Sequence, residues 1–174
     1  IIILKMENRK TIIYPGTFDP LTLGHLDLIK RVSSLFDNVI IAIAATSVKA
    51  GAMFSCEERL SMAREVVADM PNVVVEPMHG MLVDFARKHK VRVVLRGLRA
   101  YSDFEYEFQM AQTNRKLAPE IETLFLMPKE EHSYVSSSTV REVAKYAGDT
   151  SIFVPPAVQR YIERHVVISR LNGK

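Results

Sequence analysis

The sequence predicts an α/β fold: a single Rossmann-like domain on a five-stranded parallel sheet, with helices on both faces and a C-terminal helical segment. Three observations carry this. Five short β-rich runs alternate along the chain with segments whose apolar residues recur at helical spacing. The clearest run, Val39-Ile40-Ile41-Ala42-Ile43-Ala44, is apolar throughout, as expected of a strand covered on both faces. And 174 residues suit one domain with a real core, whereas two full domains would be cramped.

In order, Thr11-Ile12-Ile13-Tyr14 is the first strand, expected to stop at Pro15-Gly16. A helix over about 25–36 follows, with Leu28, Ile29, Val32, Leu35 and Phe36 in one stripe. The second strand is 39–44. Ser55-Cys56-Glu57-Glu58 reads as a capping box opening a helix that carries Leu60, Ala63, Val66, Val67 and Met70 inward, until Pro71-Asn72 breaks it. A third strand over 73–75, a short helix over 82–89 and a fourth strand over 91–95 come next. Ser102-Asp103-Phe104-Glu105 reads as a second capping box, opening a long helix to about 117. After a fifth strand over 123–127, Ser137 or Ser138 caps a helix to about Tyr146, and Pro155-Pro156 opens the last one. Residues 1–10 are read as an N-terminal extension and 11–168 as the domain. Met6 is a candidate natural start, which would make 1–5 a remnant.

Composition narrows the function classes. The net charge of +3 is weak support for an anionic partner. Lys and Arg are interspersed with Asp and Glu, without the basic stripe and interleaved aromatics of a nucleic-acid binder. The single cysteine, Cys56, excludes an intrachain disulfide, and no Cys/His metal spacing exists. A reducing, cytoplasmic setting is expected. No apolar run approaches the roughly 20 residues a bilayer span requires.

Sheets of this kind bind ligands outside the carboxyl ends of their strands, near the reversal in strand order. The loops to read are therefore those after Tyr14, Ala45, Val75, Leu95 and Met127. In the first, Gly16 and Gly24 admit close approach of a ligand, and His25 in the first helical turn adds a donor where anions bind. Thr17 adds a hydroxyl. The same residues also fit an ordinary turn with a surface histidine. Arg96 and Arg99 flank Gly97 past a strand end, and two guanidiniums there suit phosphates. Ser136-Ser137-Ser138 precedes a helix and offers hydroxyls and N–H groups to phosphates. Lys49 alone reads as a solvated lysine, Glu107 as a solvated or paired carboxylate, and Leu82 as core. His79, His89 and His165 have no partner pattern.

Four motifs in order carry a resemblance over nearly all of the chain from Thr11 to about Val166. They are GTFDP with Thr22-Leu23-Gly24-His25; Arg96-Gly97-Leu98-Arg99; Asp103-Phe104-Glu105-Tyr106-Glu107; and Val135-Ser136-Ser137-Ser138-Thr139-Val140-Arg141. Together they resemble the nucleotidyltransferases related to class I aminoacyl-tRNA synthetases. Thr22, where many members have His, is similar to the phosphopantetheine adenylyltransferase family. The resemblance implies adenylyl transfer from ATP to 4′-phosphopantetheine, giving dephospho-coenzyme A and pyrophosphate, with Mg²⁺ held mainly by the triphosphate and no metal cage in the protein. It assigns catalysis to His25, Lys49 and Arg96. It assigns ATP to Thr17, Phe18, His25, Gly97, Leu98, Arg99, Glu107 and the stretch His132, Ser133, Tyr134, Val135, Ser136, Ser137, Ser138. The acceptor falls to Thr17, Lys49, Leu82 and Arg96. The stretch Lys49-Ala50-Gly51-Ala52 departs from the family pattern, and relatives often have an aromatic such as Trp at His132. A homohexamer, and coenzyme A as feedback inhibitor, are further implications. The rival readings are an adenylyltransferase acting on nicotinamide mononucleotide or glycerol phosphate, a nucleotide-binding regulatory module, and an RNA-binding relative of the synthetases.

Overall fold

The computed structural model describes residues 10–45, 52–99 and 101–172, the side chains of 101–103 and 169–172 excepted. Lys49, Met6 and the 1–5 segment lie outside the described residues. Five strands form one parallel sheet: β1 (Thr11–Gly16), β2 (Asn38–Ala44), β3 (Val73–Met78), β4 (Val93–Gly97) and β5 (Glu122–Leu126). Their order is β3-β2-β1-β4-β5, so the chain winds outward from β1 on one side, then crosses to the other. The reversal falls between β1 and β4, where a ligand crevice is expected.

Side-chain alternation divides the core into two layers. Ile12, Tyr14, Ile41, Ile43 and Leu95 face α1 (Leu23–Leu35), α2 (Cys56–Val66), α6 (Ser137–Lys145) and α7 (Pro156–Asn172). Ile13, Ile40, Ala42 and Val94 face Val83, Phe85 and Ala86 of α3 (Leu82–Lys88), with Val91, Ala118 and Ile121. This second layer is smaller. The long helix α4 (Tyr101–Leu117) presents Phe104, Tyr106, Phe108 and Met110 to solvent, and β5 exposes Leu124.

Several boundaries differ from the sequence reading. β1 continues through Pro15-Gly16, registered on Ala42 and Ile43. β1 meets β4 at Ile13↔Val94, and beyond that point the Pro15 carbonyl accepts from the Arg96 side chain. Proline's missing N–H is harmless at such a divergence. α1 begins at Leu23, and its last residue, Leu35, is 67% exposed, because Phe36 turns back onto the core in its place. α2 has the Ser55–Glu58 box but ends at Val66, since Met70 N–H closes a turn on Val67 O before Pro71 is reached. β3 runs on to Met78, paired with Ala44. α4 starts at Tyr101, so Ser102 lies inside the helix and is not its cap. The cap of α6 is Ser136, which accepts from Thr139 N–H at 2.9 Å, and this makes Ser137 and Ser138 the first helical residues. A short helix α5 (Glu130–Ser133) was not expected. His89 Nε2 lies 3.3 Å from a Glu76 carboxylate oxygen without hydrogen-bond geometry, and its ring packs on Phe85.

Candidate active site

A cavity of about 540 Å³ opens at the carboxyl ends of β1 and β4. The loops after β1, β4 and β5 supply its walls, with Ala52 reaching in from the far end of the loop after β2. The start of α1 forms the floor on one side and the start of α6 the other.

The α1 end is built by a reciprocal cap. Thr22 is extended, and its hydroxyl accepts from His25 N–H. In return the Nδ1 atom of His25 accepts from Thr22 N–H at 3.0 Å and lies 2.9 Å from Thr22 Oγ1. An accepting Nδ1 leaves the proton of a neutral imidazole on Nε2. Burial, with Arg99 and Arg96 adding their charge, pulls the His25 pKa from 6.5 down to about 4. The free chain thus holds a neutral ring with an Nε2–H donor at a helix N-terminus.

The approach to this cap is tightly packed. Phe18 adopts a positive φ of 48°, a strained conformation for a bulky residue, and its ring sits edge-on between Tyr14 and His25. A Cβ on Gly16 would lie 2.8 Å from that ring, and one on Gly97 would lie 2.8 Å from Leu28. Glycine at these two positions makes room for protein neighbours that shape the wall. Burial also raises the Tyr14 hydroxyl pKa well above its ordinary value.

Opposite, Arg96 is gripped from two sides. Its Nε donates to Glu107 Oε2 at 2.5 Å, Nη2 to Glu107 Oε1 at 2.6 Å, and Nη1 to Pro15 O at 3.2 Å. Burial works against its charge, but the Glu107 carboxylate more than offsets this, and Arg96 is held above its ordinary pKa. A second pair closes the α6 side, where Arg141 donates to Asp19 O at 2.6 Å and stands 3.6 Å from its carboxylate. Three arginines, Arg96, Arg99 and Arg141, therefore face the cavity against two carboxylates, and the described wall is net positive.

A buried cross-tie supports these groups from below. Asp19 accepts from Met53 N–H and Phe54 N–H, both at 2.9 Å. Arg59, 2% exposed, donates to Thr17 O (2.8 Å), Ala44 O (2.9 Å) and Phe54 O (3.3 Å). Charged donors to carbonyls of β1's loop, β2's end and the start of α2 fix three backbone segments against one another.

Of the residues singled out in the sequence, the structure brings Thr17, Phe18, His25, Arg96, Gly97, Arg99, Glu107, Val135, Ser137 and Ser138 to this one cavity. Leu98 is not part of the wall, and its N–H donates to Leu126 O. His132 and Ser133 belong to α5, the His132 carbonyl abutting Gly24, and Tyr134 packs edge-on against Phe153. Ser136 is committed to the α6 cap. Leu82 packs against the second core layer, outside the cavity wall. Sequence reasoning gave no role to Tyr14, Asp19, Arg59 or Arg141. For Arg59 a signal existed: it stands three and four residues before Met62 and Ala63, on the face α2 buries.

The crevice at the strand reversal, its two helix N-termini and its arginine-rich wall define a nucleotidyltransferase, and residues 13–143 match the cytidylyltransferase-like family. The fold is also that of the Plasmodium falciparum nicotinic acid mononucleotide adenylyltransferase complexed with APC, with a TM-score of 0.70 at 14% identity, covering 91% of this chain and 96% of that one. The phosphopantetheine adenylyltransferase of Methylococcus capsulatus is 56% identical over 88% of this chain and 94% of its own. That of Alkalilimnicola ehrlichii is 56% identical over 87% of this chain and 88% of its own. This chain belongs to the phosphopantetheine adenylyltransferase family.

Proposed function

We propose that the chain transfers the adenylyl group of ATP to 4′-phosphopantetheine, releasing pyrophosphate and dephospho-coenzyme A. The observation that carries this is the convergence of His25, Arg96, Arg99 and the α6 N-terminus on one cavity at the β1/β4 reversal. In the reaction a phosphate oxygen of the acceptor attacks the α-phosphorus in line. The new O–P bond forms as the bond to the pyrophosphate oxygen breaks. The acceptor phosphate, with a second pKa near 6, is already ionised, so no general base is needed. What the protein supplies is alignment of two anions and donors aimed at the growing charge.

In this reading Ser137 and Ser138, with their helical N–H groups, take the β- and γ-phosphates, together with Thr17, Phe18, Gly97, Arg99 and Val135 around the nucleotide. His25 Nε2–H donates to the α-phosphate oxygen that gains charge. Thr17, Arg96 and Lys49 hold the acceptor phosphate. Mg²⁺ enters as part of the MgATP substrate. This fits the donor set, because Asp19 and Glu107 are already committed to protein partners, and no group of three His, Cys, Asp or Glu among the described residues forms a cage. Coenzyme A, which shares the pantetheine arm, is proposed to compete for the same cavity. The apolar side chains that α4 and β5 expose, Phe104, Tyr106, Phe108, Met110 and Leu124, support self-association, and the assembly proposed is a homohexamer. The setting proposed is cytoplasmic. Among the described residues no helix is long and apolar enough to cross a membrane.

The test is pyrophosphate release from MgATP with 4′-phosphopantetheine, with nicotinamide mononucleotide, and with no acceptor. Release only with the first is expected. Faster release with the mononucleotide would favour the rival acceptor.

A further inference from the structure

We infer that the Tyr14 hydroxyl is a further substrate-contacting group: it donates a hydrogen bond to an oxygen of the phosphate being transferred, beside His25. This rests on the function proposed above and adds one residue to its site.

Tyr14 stands on β1 one residue past the Ile13↔Val94 pairing, where β1 and β4 part and the cavity opens. Its ring belongs to an apolar layer with Ile12, Leu28, Ile41 and Leu95, and the residue is 4% exposed. A phenylalanine ring would fill that space equally well. The oxygen is what needs a reason, because a buried hydroxyl without a partner destabilises a fold. Among the described residues the Tyr14 oxygen makes no hydrogen bond, yet it is not sealed in: it opens on the cavity that the residue lines. A Cβ at position 97 would stand 3.5 Å from that oxygen, so glycine there leaves free space beside it.

The surroundings select the ligand. Arg96 and Arg99 act on the phenol through their charge, against the single carboxylate of Glu107, so the local excess is positive and suits an anionic oxygen. Burial outweighs the arginines and keeps the phenol protonated, which makes it a neutral O–H donor. Such a donor forms a charge-assisted bond with a phosphate oxygen without adding to the repulsion among the cations. Position selects the phosphate. The His25 ring, given above to the α-phosphate, has its centroid 6.4 Å from that of Tyr14, and Phe18 rests edge-on against both. Arg96, given to the acceptor, bonds the carbonyl of the next residue, Pro15. The hydroxyl thus lies between the groups assigned to the two substrates, where the transferred phosphorus belongs. The sheet and the Phe18 contact fix the ring, so the donor is in place before charge grows on the phosphate. No proton leaves the phenol in this role.

The experiment compares the full chain with Tyr14→Phe, which keeps the ring and removes only the oxygen. Pyrophosphate release is measured with each substrate varied at saturation of the other. The variant is expected to lose about fivefold or more in kcat, with KM for MgATP and for 4′-phosphopantetheine each within about threefold of the parent. Because the hydroxyl has no protein partner, the melting temperature of the ligand-free variant is expected to be no lower than the parent's. Calorimetric titration of dephospho-coenzyme A, which carries the transferred phosphate between its two halves, reads the contact without turnover, and its Kd is expected to rise about threefold or more. Inactivity of the unaltered chain would count against the function, while the ratio of variant to parent judges Tyr14. A smaller loss of kcat, a loss appearing only as a raised KM, an unchanged Kd, or a ligand-free melting temperature lowered by more than about 2 °C would each overturn the inference.

Discussion

Replacing His25 by asparagine separates the two things its imidazole does. Nδ1 completes the cap on α1 by accepting from Thr22 N–H, while Nε2 carries the donor proposed for the α-phosphate. The Oδ1 atom of asparagine overlies the position of Nδ1 and accepts as it does, so it keeps the first role. Its amide nitrogen stops short of the place where Nε2 stood, so no N–H is offered there. With a pKa of about 4, roughly one ring in a thousand is protonated at pH 7 in the free chain. A phosphate charge arriving about 4 Å away favours the imidazolium by roughly 4 kcal/mol at an effective dielectric of about 20, or about three decades in proton affinity. The bound nucleotide therefore offsets the whole of the depression and strengthens the donor when it is needed. Loss of such a donor is worth about a hundredfold in kcat, near 2.7 kcal/mol. His25→Asn is thus expected to lose about a hundredfold in kcat while its unfolding free energy stays within about 0.5 kcal/mol of the parent. His25→Ala loses the cap as well, and is expected to be about 1 kcal/mol less stable. Urea unfolding and saturating pyrophosphate-release rates measure the two axes independently. An asparagine variant turning over within about fivefold of the parent would refute the donor role.

Three further outcomes follow from the same geometry. Because His25 titrates at about 4 when folded and near 6.5 when unfolded, the unfolded chain binds the extra proton between those values. Stability should fall by up to about 3 kcal/mol as pH drops from 6.5 to about 4 and level off below, and urea curves for parent and His25→Asn that stay parallel over that window would contradict this. Gly16→Ala puts a methyl 2.8 Å from the Phe18 ring; a cost of about 1–3 kcal/mol and a raised KM for MgATP are expected, read from thermal melts and initial rates. Arg59→Met keeps length but strands three carbonyls, and at about 1 kcal/mol each should cost about 3 kcal/mol in urea unfolding.

The parallel sheet was legible because its strands announce themselves: 39–44 is apolar on every residue, and such a run has few other fates. Boundaries were harder. Pro15 looked like a stop because proline cannot donate to a ladder, yet the sheet parts there and asks for no donor. Leu35 looked inward by spacing, but the helix ends at it and Phe36 takes the core contact. In the site, His25 and the two RGLR arginines were visible from their places after strands. The backbone partners of Asp19 and Arg59 were not, since no side-chain pattern encodes them, although the place of Arg59 on the buried face of α2 marked it as a paired charge. Arg96 and Glu107 were each readable as a ligand for a substrate. Their mutual pairing depends on α4 lying beside the end of β4, which is a matter of tertiary packing.

The cross-tie of Asp19 and Arg59 bears on attempts to retarget the enzyme to other acceptors. Because one buried guanidinium joins the rim segments at Thr17, Ala44 and Phe54, the mouth of the crevice behaves mechanically as a single piece. A transplanted loop after β2 would arrive without its moorings unless positions 19, 53, 54 and 59 travelled with it. Redesign of acceptor choice is therefore better begun from side chains projecting off this frame than from exchange of the frame itself.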